Sequence, residues 1–265
     1  MINAPTAPLF VPGDRPERFA KAAATVADAI IVDLEDAVDA TNKEAARSNL
    51  VSHGVGSKPV YARINSAGTP WWEEDLAAIG RAGLAGVIVP KAEAAVDLVA
   101  VAQSAGDHLA LIPLIETVRG LDNVDAILRV PQVTCIGFGS LDFGLDLGCE
   151  PSWEALLFTR SRLVLASRRA GKRPPIDGVT PTLDDEELIG AEARRARSLG
   201  FGGKLAIHPR QVAPILAAFR PTEKEIAWAE RVLTAATSDS ALKVDGQMVD
   251  KPLVERARRI REAAA

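Results

Sequence analysis

The sequence predicts an α/β fold: a parallel TIM-type (β/α)8 barrel with a short carboxyl-terminal helix–hairpin–helix extension. Three observations carry that expectation. Short apolar runs alternate with amphipathic helical segments at a period of roughly 25–35 residues, and eight such alternations fit before residue 220 of the 265. No G-x-G-x-x-G follows the first run, which argues against an open doubly wound sheet. Polar residues, mostly ionisable, also gather where nearly every run ends: Glu35, Asp36, Arg63, Asn65, Lys91, Glu116, Asp142, Asp177 and His208.

The elements follow in order. Residues 9–11 form a short strand, and Pro16 opens a helix carrying Phe19, Ala22, Ala23 and Val26 at helical spacing. Strands at 29–34, 60–65, 86–91 and 109–116 are separated by helices at 43–50, 71–82 and 94–104. A helix at 121–128 precedes a sixth strand at 133–139, and a long amphipathic helix covers 153–170. A weak seventh strand at 175–177, a charged helix at 184–199, an eighth strand at 204–207 and a helix at 209–219 complete the barrel, residues 1–220. In the extension, 221–265, Thr222 caps a helix with Glu225 at its third position. That helix runs to about Thr237; Asp245-Gly246 then signals a hairpin turn, and Pro252 opens a final helix. The extension is too small for a separate domain and is expected to pack on the barrel or on a neighbouring subunit.

Composition limits the function. About half the residues are hydrophobic (48%) and a quarter charged (25%), as in an ordinary globule with ample core. A net charge of −4 argues against a nucleic-acid partner and against an anionic membrane surface. No run approaches the ~18 apolar residues a spanning helix needs. Residues 1–8 lack the charged start and apolar stretch of a signal peptide. The two cysteines, Cys135 and Cys149, form no C-x-x-C, and Cys135 lies within an apolar strand as a core residue. That usage fits a reducing, cytoplasmic compartment.

Two apolar runs carry the clearest chemical signal. Leu111-Ile112-Pro113-Leu114-Ile115 ends in Glu116, and the run from Val133 to Leu141 ends in Asp142. Acids at successive strand ends, one helix apart, suit Mg2+, which takes one or two carboxylates and keeps several waters. No His/Cys cluster points to zinc. The alternative is that each acid caps a helix or pairs with a base. Arg63 at the third strand end could hold a carboxylate or stabilise an enolate oxygen, or pair with Glu35 or Asp36. Lys43 and Arg47, four apart on one helix, read as a solvated face. Asp14, Arg15 and Arg18 could meet an anionic tail, though solvated helix charges are the default. Asp250 reads as a surface turn residue. His53 and His108 read as structural; His208 is either loop packing or a ligand contact.

Taken together, the ordered segments resemble the citrate lyase beta-subunit family, which includes malyl-CoA and citramalyl-CoA lyases. The resemblance rests on Phe10-Val11-Pro12-Gly13-Asp14-Arg15-Pro16-Glu17-Arg18, Asp33-Leu34-Glu35-Asp36-Ala37-Val38 and Lys43-Glu44-Ala45-Ala46-Arg47. It continues through Ala62-Arg63-Ile64-Asn65, Val89-Pro90-Lys91, Leu114-Ile115-Glu116-Thr117 and Gly139-Ser140-Leu141-Asp142. It closes with Ile176-Asp177-Gly178-Val179, Ile207-His208-Pro209 and Gly246-Gln247-Met248-Val249-Asp250. The resemblance implies a TIM barrel assembled as a homotrimer or dimer of trimers. It implies Glu116 and Asp142 as magnesium ligands and Arg63 as a substrate-binding and catalytic arginine oriented by Asp36 and Glu35. It implies that Asp250 reaches the neighbouring subunit's site as an acid, and that Arg18, Ile207 and His208 lie near a CoA across the barrel mouth. The implied reaction splits or joins a 3-hydroxyacyl thioester, on CoA or an acyl carrier, giving acetyl-CoA and a 2-oxo acid. Two alternatives stay open: a pyruvate-type class II aldolase on a free hydroxy-oxo acid, and a non-catalytic assembly subunit.

Overall fold

The computed structural model describes residues 4–106, 109–236, 242–244 and 247–264. The chain divides into two compact units, 1–216 and 217–265. The first unit holds a curled parallel sheet whose eight strands neighbour one another in sequence order. They are β1 (Leu9–Pro12), β2 (Ile30–Asp33), β3 (Val60–Arg63), β4 (Gly86–Val89), β5 (Ala110–Ile115), β6 (Gly137–Phe138), β7 (Ile176–Asp177) and β8 (Gly203–Lys204). Beyond β8 the chain returns to β1: Phe10 N donates to Ala206 O at 2.8 Å and Ala206 N to Pro8 O at 3.0 Å.

The strands form where apolar runs are covered on both sides, and β2 and β4 are buried throughout. An interior cluster draws Ile31, Tyr61, Ile88, Ile112, Leu114, Ile176 and Leu205 together, with Cys135 as the expected core cysteine. Gly86 has a steric reason: a Cβ there would lie 2.7 Å from the Tyr61 ring and collide with Ala110 O. Both cysteines are free thiols. No helix among the described residues is long and apolar enough to cross a membrane.

The helices between strands are α1 (Phe19–Ala23), α2 (Lys43–Val51), α3 (Trp72–Ile79), α4 (Ala95–Ala105), α5 (Val118–Asp122), α6 (Val124–Ile127), α7 (Ser140–Leu147), α8 (Leu157–Arg169), α9 (Glu186–Leu199) and α10 (Pro209–Phe219). The eighth strand, expected at 204–207, is Gly203–Lys204, and three further expectations change. The 121–128 helix is two short helices, because Thr117 caps an earlier start and the chain breaks at Asn123. The expected strand at 133–139 shrinks to Gly137–Phe138, its earlier part making one bridge from Val133 to Leu111. Thirdly, α7 begins immediately after Gly139, so Asp142 sits in a helix's first turn rather than at a strand end. Gly144 and Gly148 disguised that helix in the sequence.

In the second unit, α11 (Glu223–Ala235) carries the expected capping box between Thr222 and Glu225. Its Ala229 and Val232 pack with Ala257 and Ile260 of α12 (Lys251–Ala264). Strands β9 (Leu242–Val244) and β10 (Gln247–Val249) pair antiparallel. The turn expected at Asp245-Gly246 lies outside the described residues, as do Thr237 and His108.

Candidate active site

Parallel register sets the site. Asp33, last in β2, stands opposite Arg63, last in β3. Arg63 Nε and Nη2 donate to the two Asp33 oxygens at 2.7 and 2.6 Å, a forked pair that fixes the guanidinium plane. Nη1 also faces Glu35 at 3.2 Å and Asp36 at 3.4 Å, and the guanidinium lies 4.8 Å from the Phe10 ring centre. The sequence reading expected Glu35 or Asp36 as the partner. The main anchor is Asp33, hidden because it ends an otherwise apolar run. Asp33 also accepts from the Glu35 and Ala37 backbone N–H groups, so one buried carboxylate orders both the arginine and the loop beside it.

Lys43 corrects a second expectation. It is 5% exposed, not solvated. Its ammonium donates to Leu34 O, Glu35 O and Asn65 Oδ1 at 2.6–2.7 Å, and lies 4.9 Å from the Trp71 ring centre. Burial lowers its pKa, against the pull of Asp33 and Asp75. Arg47 pairs with buried Asp75, which accepts from Asn65 Nδ2. These groups brace the 33–36 loop from behind.

Glu116 follows β5 and is 3% exposed. Its Oε2 accepts from Lys91 N at 2.7 Å. Burial, with the Glu35 charge adding to it, pushes the Glu116 pKa up to about 8 although the Lys91 N–H and Arg63 oppose the shift. Asp142 is half-buried, and both acids line one cavity of about 390 Å3 with Arg63, Asp33 and Asp36. Apart from Ser140 its remaining wall is apolar, including Phe10, Leu114, Phe138, Val179 and Ile207. Among the described residues no group of three or more His, Cys, Asp or Glu forms a closed metal cage. Two acids in an open cavity are what magnesium uses when water and substrate fill the other positions. A divalent cation would also supply the positive charge that buried Glu116 lacks, so the residues fit that ion.

Gly139 supports Glu116 directly. A Cβ there would lie 2.7 Å from Glu116 Cδ and collide with its Cγ and Oε1. Gly139→Ala should therefore displace the carboxylate and weaken magnesium binding at least about tenfold, roughly 1.4 kcal/mol. Calorimetric titration of a variant with unchanged circular dichroism checks this; unchanged affinity would reject it.

The other sequence candidates separate. Ile207 lines the cavity at 41% exposure. His208 is half-buried, and its Nδ1 accepts from Arg210 N at the start of α10. Arg18 is exposed on the single turn Pro16–Arg18. Asp250 belongs to the second unit, where it is exposed and its Oδ1 accepts from Leu253 N at the start of α12. Asp177 is a buried structural acid, 3.0 Å from Arg160 Nε and 3.7 Å from Lys204 Nζ. His53 is structural as expected, its ring bridging Ala82 O and Val55 N. Sequence reasoning assigned no role to Asp33 or Lys91; each ends or follows an apolar run, and that position was the available signal.

The chain is similar to known proteins over nearly its whole length. The family model described as HpcH/HpaI aldolase/citrate lyase matches residues 7–209. A citrate lyase subunit beta-like protein of Deinococcus radiodurans is 36% identical, the match covering 97% of this chain and 98% of that one. A (3S)-malyl-CoA thioesterase of Cereibacter sphaeroides is 34% identical, over 94% of this chain and 91% of its own length. The crystal structure of protein CitE from Mycobacterium tuberculosis, in complex with magnesium, acetoacetate and coenzyme A, superimposes with a TM-score of 0.89 at 34% identity, covering 98% of each chain.

Proposed function

Because the chain belongs to the HpcH/HpaI aldolase/citrate lyase family, we propose that it is a magnesium-dependent carbon–carbon lyase acting on a 3-hydroxyacyl-CoA. The observation that supports this most directly is one cavity holding a clamped arginine beside two carboxylates. Glu116 and Asp142 would hold the magnesium ion, which when bound supplies Lewis acidity at substrate oxygens. The substrate hydroxyl gives up its proton to solvent in the open cavity, the carbon–carbon bond breaks to leave the 2-oxo acid, and its electron pair passes to the thioester fragment as an enolate. Arg63, held rigid by Asp33 and faced by Glu35 and Asp36, offers fixed positive charge where that oxygen charge develops. Asp250 of a neighbouring subunit delivers the proton that completes acetyl-CoA. Arg18, Ile207 and His208 lie along the CoA path. The curled sheet is read as a closed TIM barrel, supported by the hydrogen bonds of Ala206 with Phe10 and Pro8, with residues 221–265 as an extension that meets a neighbouring subunit in a homotrimer or dimer of trimers. A cytoplasmic location fits the absence of disulfides among two free cysteines.

A panel of malyl-, citramalyl- and citryl-CoA with magnesium tests the reading. Release of acetyl-CoA together with a 2-oxo acid supports it. Free CoA plus a hydroxy acid would instead mean thioester hydrolysis, the activity named for the Cereibacter relative. Binding of pyruvate without acetyl-CoA would favour the free-acid aldolase. An assembly subunit would turn over nothing and keep its partner binding after Glu116→Ala. For subunit sharing, mixing inactive Asp250→Asn chains with inactive Glu116→Gln chains should restore part of the activity. Mixed oligomers that stay dead would remove Asp250 from the neighbouring site.

A further inference from the structure

Lys91 follows β4 and Pro90 and is the one non-glycine among the described residues with a positive φ, +43°. L-residues rarely adopt that left-handed conformation, and glycine takes it without strain. Strain of this kind persists where surrounding contacts over-determine it, and it gathers at functional sites. Two contacts do so here. The backbone N–H of Lys91 donates to Glu116 Oε2 at 2.7 Å. Its Nζ, on a side chain 39% exposed, pairs with Glu35 Oε1 at 2.9 Å. Glu35 is itself held by Arg63 at 3.2 Å. Rotation about φ leaves the N–H where the preceding peptide sets it and swings the side chain and the onward chain, so the left-handed value is what lets one residue make both contacts at once.

We propose that Lys91 is a positioning residue for Glu116: its ammonium, tied to Glu35, holds a strained left-handed turn in place and so keeps its backbone N–H on the Glu116 carboxylate. With Oε2 held by that N–H and Gly139 leaving room beside Oε1, the carboxylate presents one orientation to the cavity. The inference rests on the reading of Glu116 as a magnesium ligand. It differs from simple charge balance, because the lysine charge acts on the backbone and not on the ion.

Glycine and alanine distinguish the two roles, since both remove the same ammonium and only glycine accepts the left-handed backbone freely. Magnesium affinity is measured by calorimetry on metal-free chains whose folding is confirmed by circular dichroism. Lys91→Gly is expected within about threefold of wild type and Lys91→Ala at least about tenfold weaker. Lys91→Asn, which tolerates the same backbone, should follow glycine and serves if the alanine variant folds poorly. Glu35→Gln in the wild-type background should weaken magnesium binding, and combined with Lys91→Gly should add little. Equal weakening in glycine and alanine would overturn the proposal in favour of an electrostatic lysine; wild-type affinity in both would also overturn it. Wild type and Glu116→Gln run alongside: failure of the wild-type chain to bind magnesium removes the metal reading itself, whereas normal wild-type binding with the wrong glycine–alanine order removes only the role of Lys91.

Discussion

Glu116→Gln should lower magnesium-dependent cleavage by about a thousandfold or more, equivalent to roughly 4 kcal/mol of transition-state stabilisation. The substitution keeps volume and the Lys91 N–H bond to Oε, and removes the charge that would hold the ion. It should also change proton bookkeeping. With its pKa pushed up to about 8 by burial, the metal-free carboxyl is mostly protonated at pH 7. Magnesium binding then releases about one proton per chain in the wild type and none from this position in the variant. Titration calorimetry in buffers of different ionisation enthalpy measures that number. Stability follows the same linkage. Below about pH 4.5 folded and unfolded chains both hold this proton; between 4.5 and about 8 only the folded chain does, so the Glu116 contribution falls as pH rises through that window. Magnesium should reverse the loss at the high end, and the variant should show neither effect. A fully active, magnesium-binding Glu116→Gln chain would end the two-carboxylate assignment.

Arg63→Ala is expected to cost about 10^2–10^3 in kcat/KM, the range seen when one fixed donor to a developing oxyanion is deleted. It should also destabilise the fold, by about 3 kcal/mol, because buried Asp33 loses the partner that neutralises it. Arg63→Lys separates these effects. The ammonium restores charge near Asp33 but not the two-oxygen fork, so stability should recover further than rate. Denaturant melts beside steady-state kinetics on the active thioester read both. A folded Arg63→Ala enzyme with wild-type kcat/KM would leave the arginine a purely structural group.

Much of the sheet was legible because burial on both faces writes itself as continuous apolar runs: 29–34, 60–65 and 86–91 each contain an observed strand. Boundaries were less so. The run 133–139 is just as apolar as the others, yet only Gly137–Phe138 pairs as a strand, since burial does not require a ladder partner. Asp142 was found as a candidate while its element was mistaken, because Gly139 ends a strand and begins a helix in the same step. Glu116 and Arg63 were legible by type and place. Their supports were not: Asp33 depends on strand register, Lys91 on a backbone angle, and Lys43 on three acceptors from two separate segments. Spacing along one chain carries none of that information.

The return of the chain from β8 to β1 has a consequence for biosynthesis. Every other strand pairing joins neighbours in sequence, so each can form as soon as the next segment leaves the ribosome. The Phe10–Ala206 link cannot. At ~5–20 residues per second, Ala206 emerges about 10–40 s after β1. Throughout that interval one side of β1 presents open N–H and C=O groups, the template on which nascent chains cross-pair. The most vulnerable edge of this enzyme during translation is therefore its first strand, and a circular permutant that begins at another strand should carry the exposure there with it.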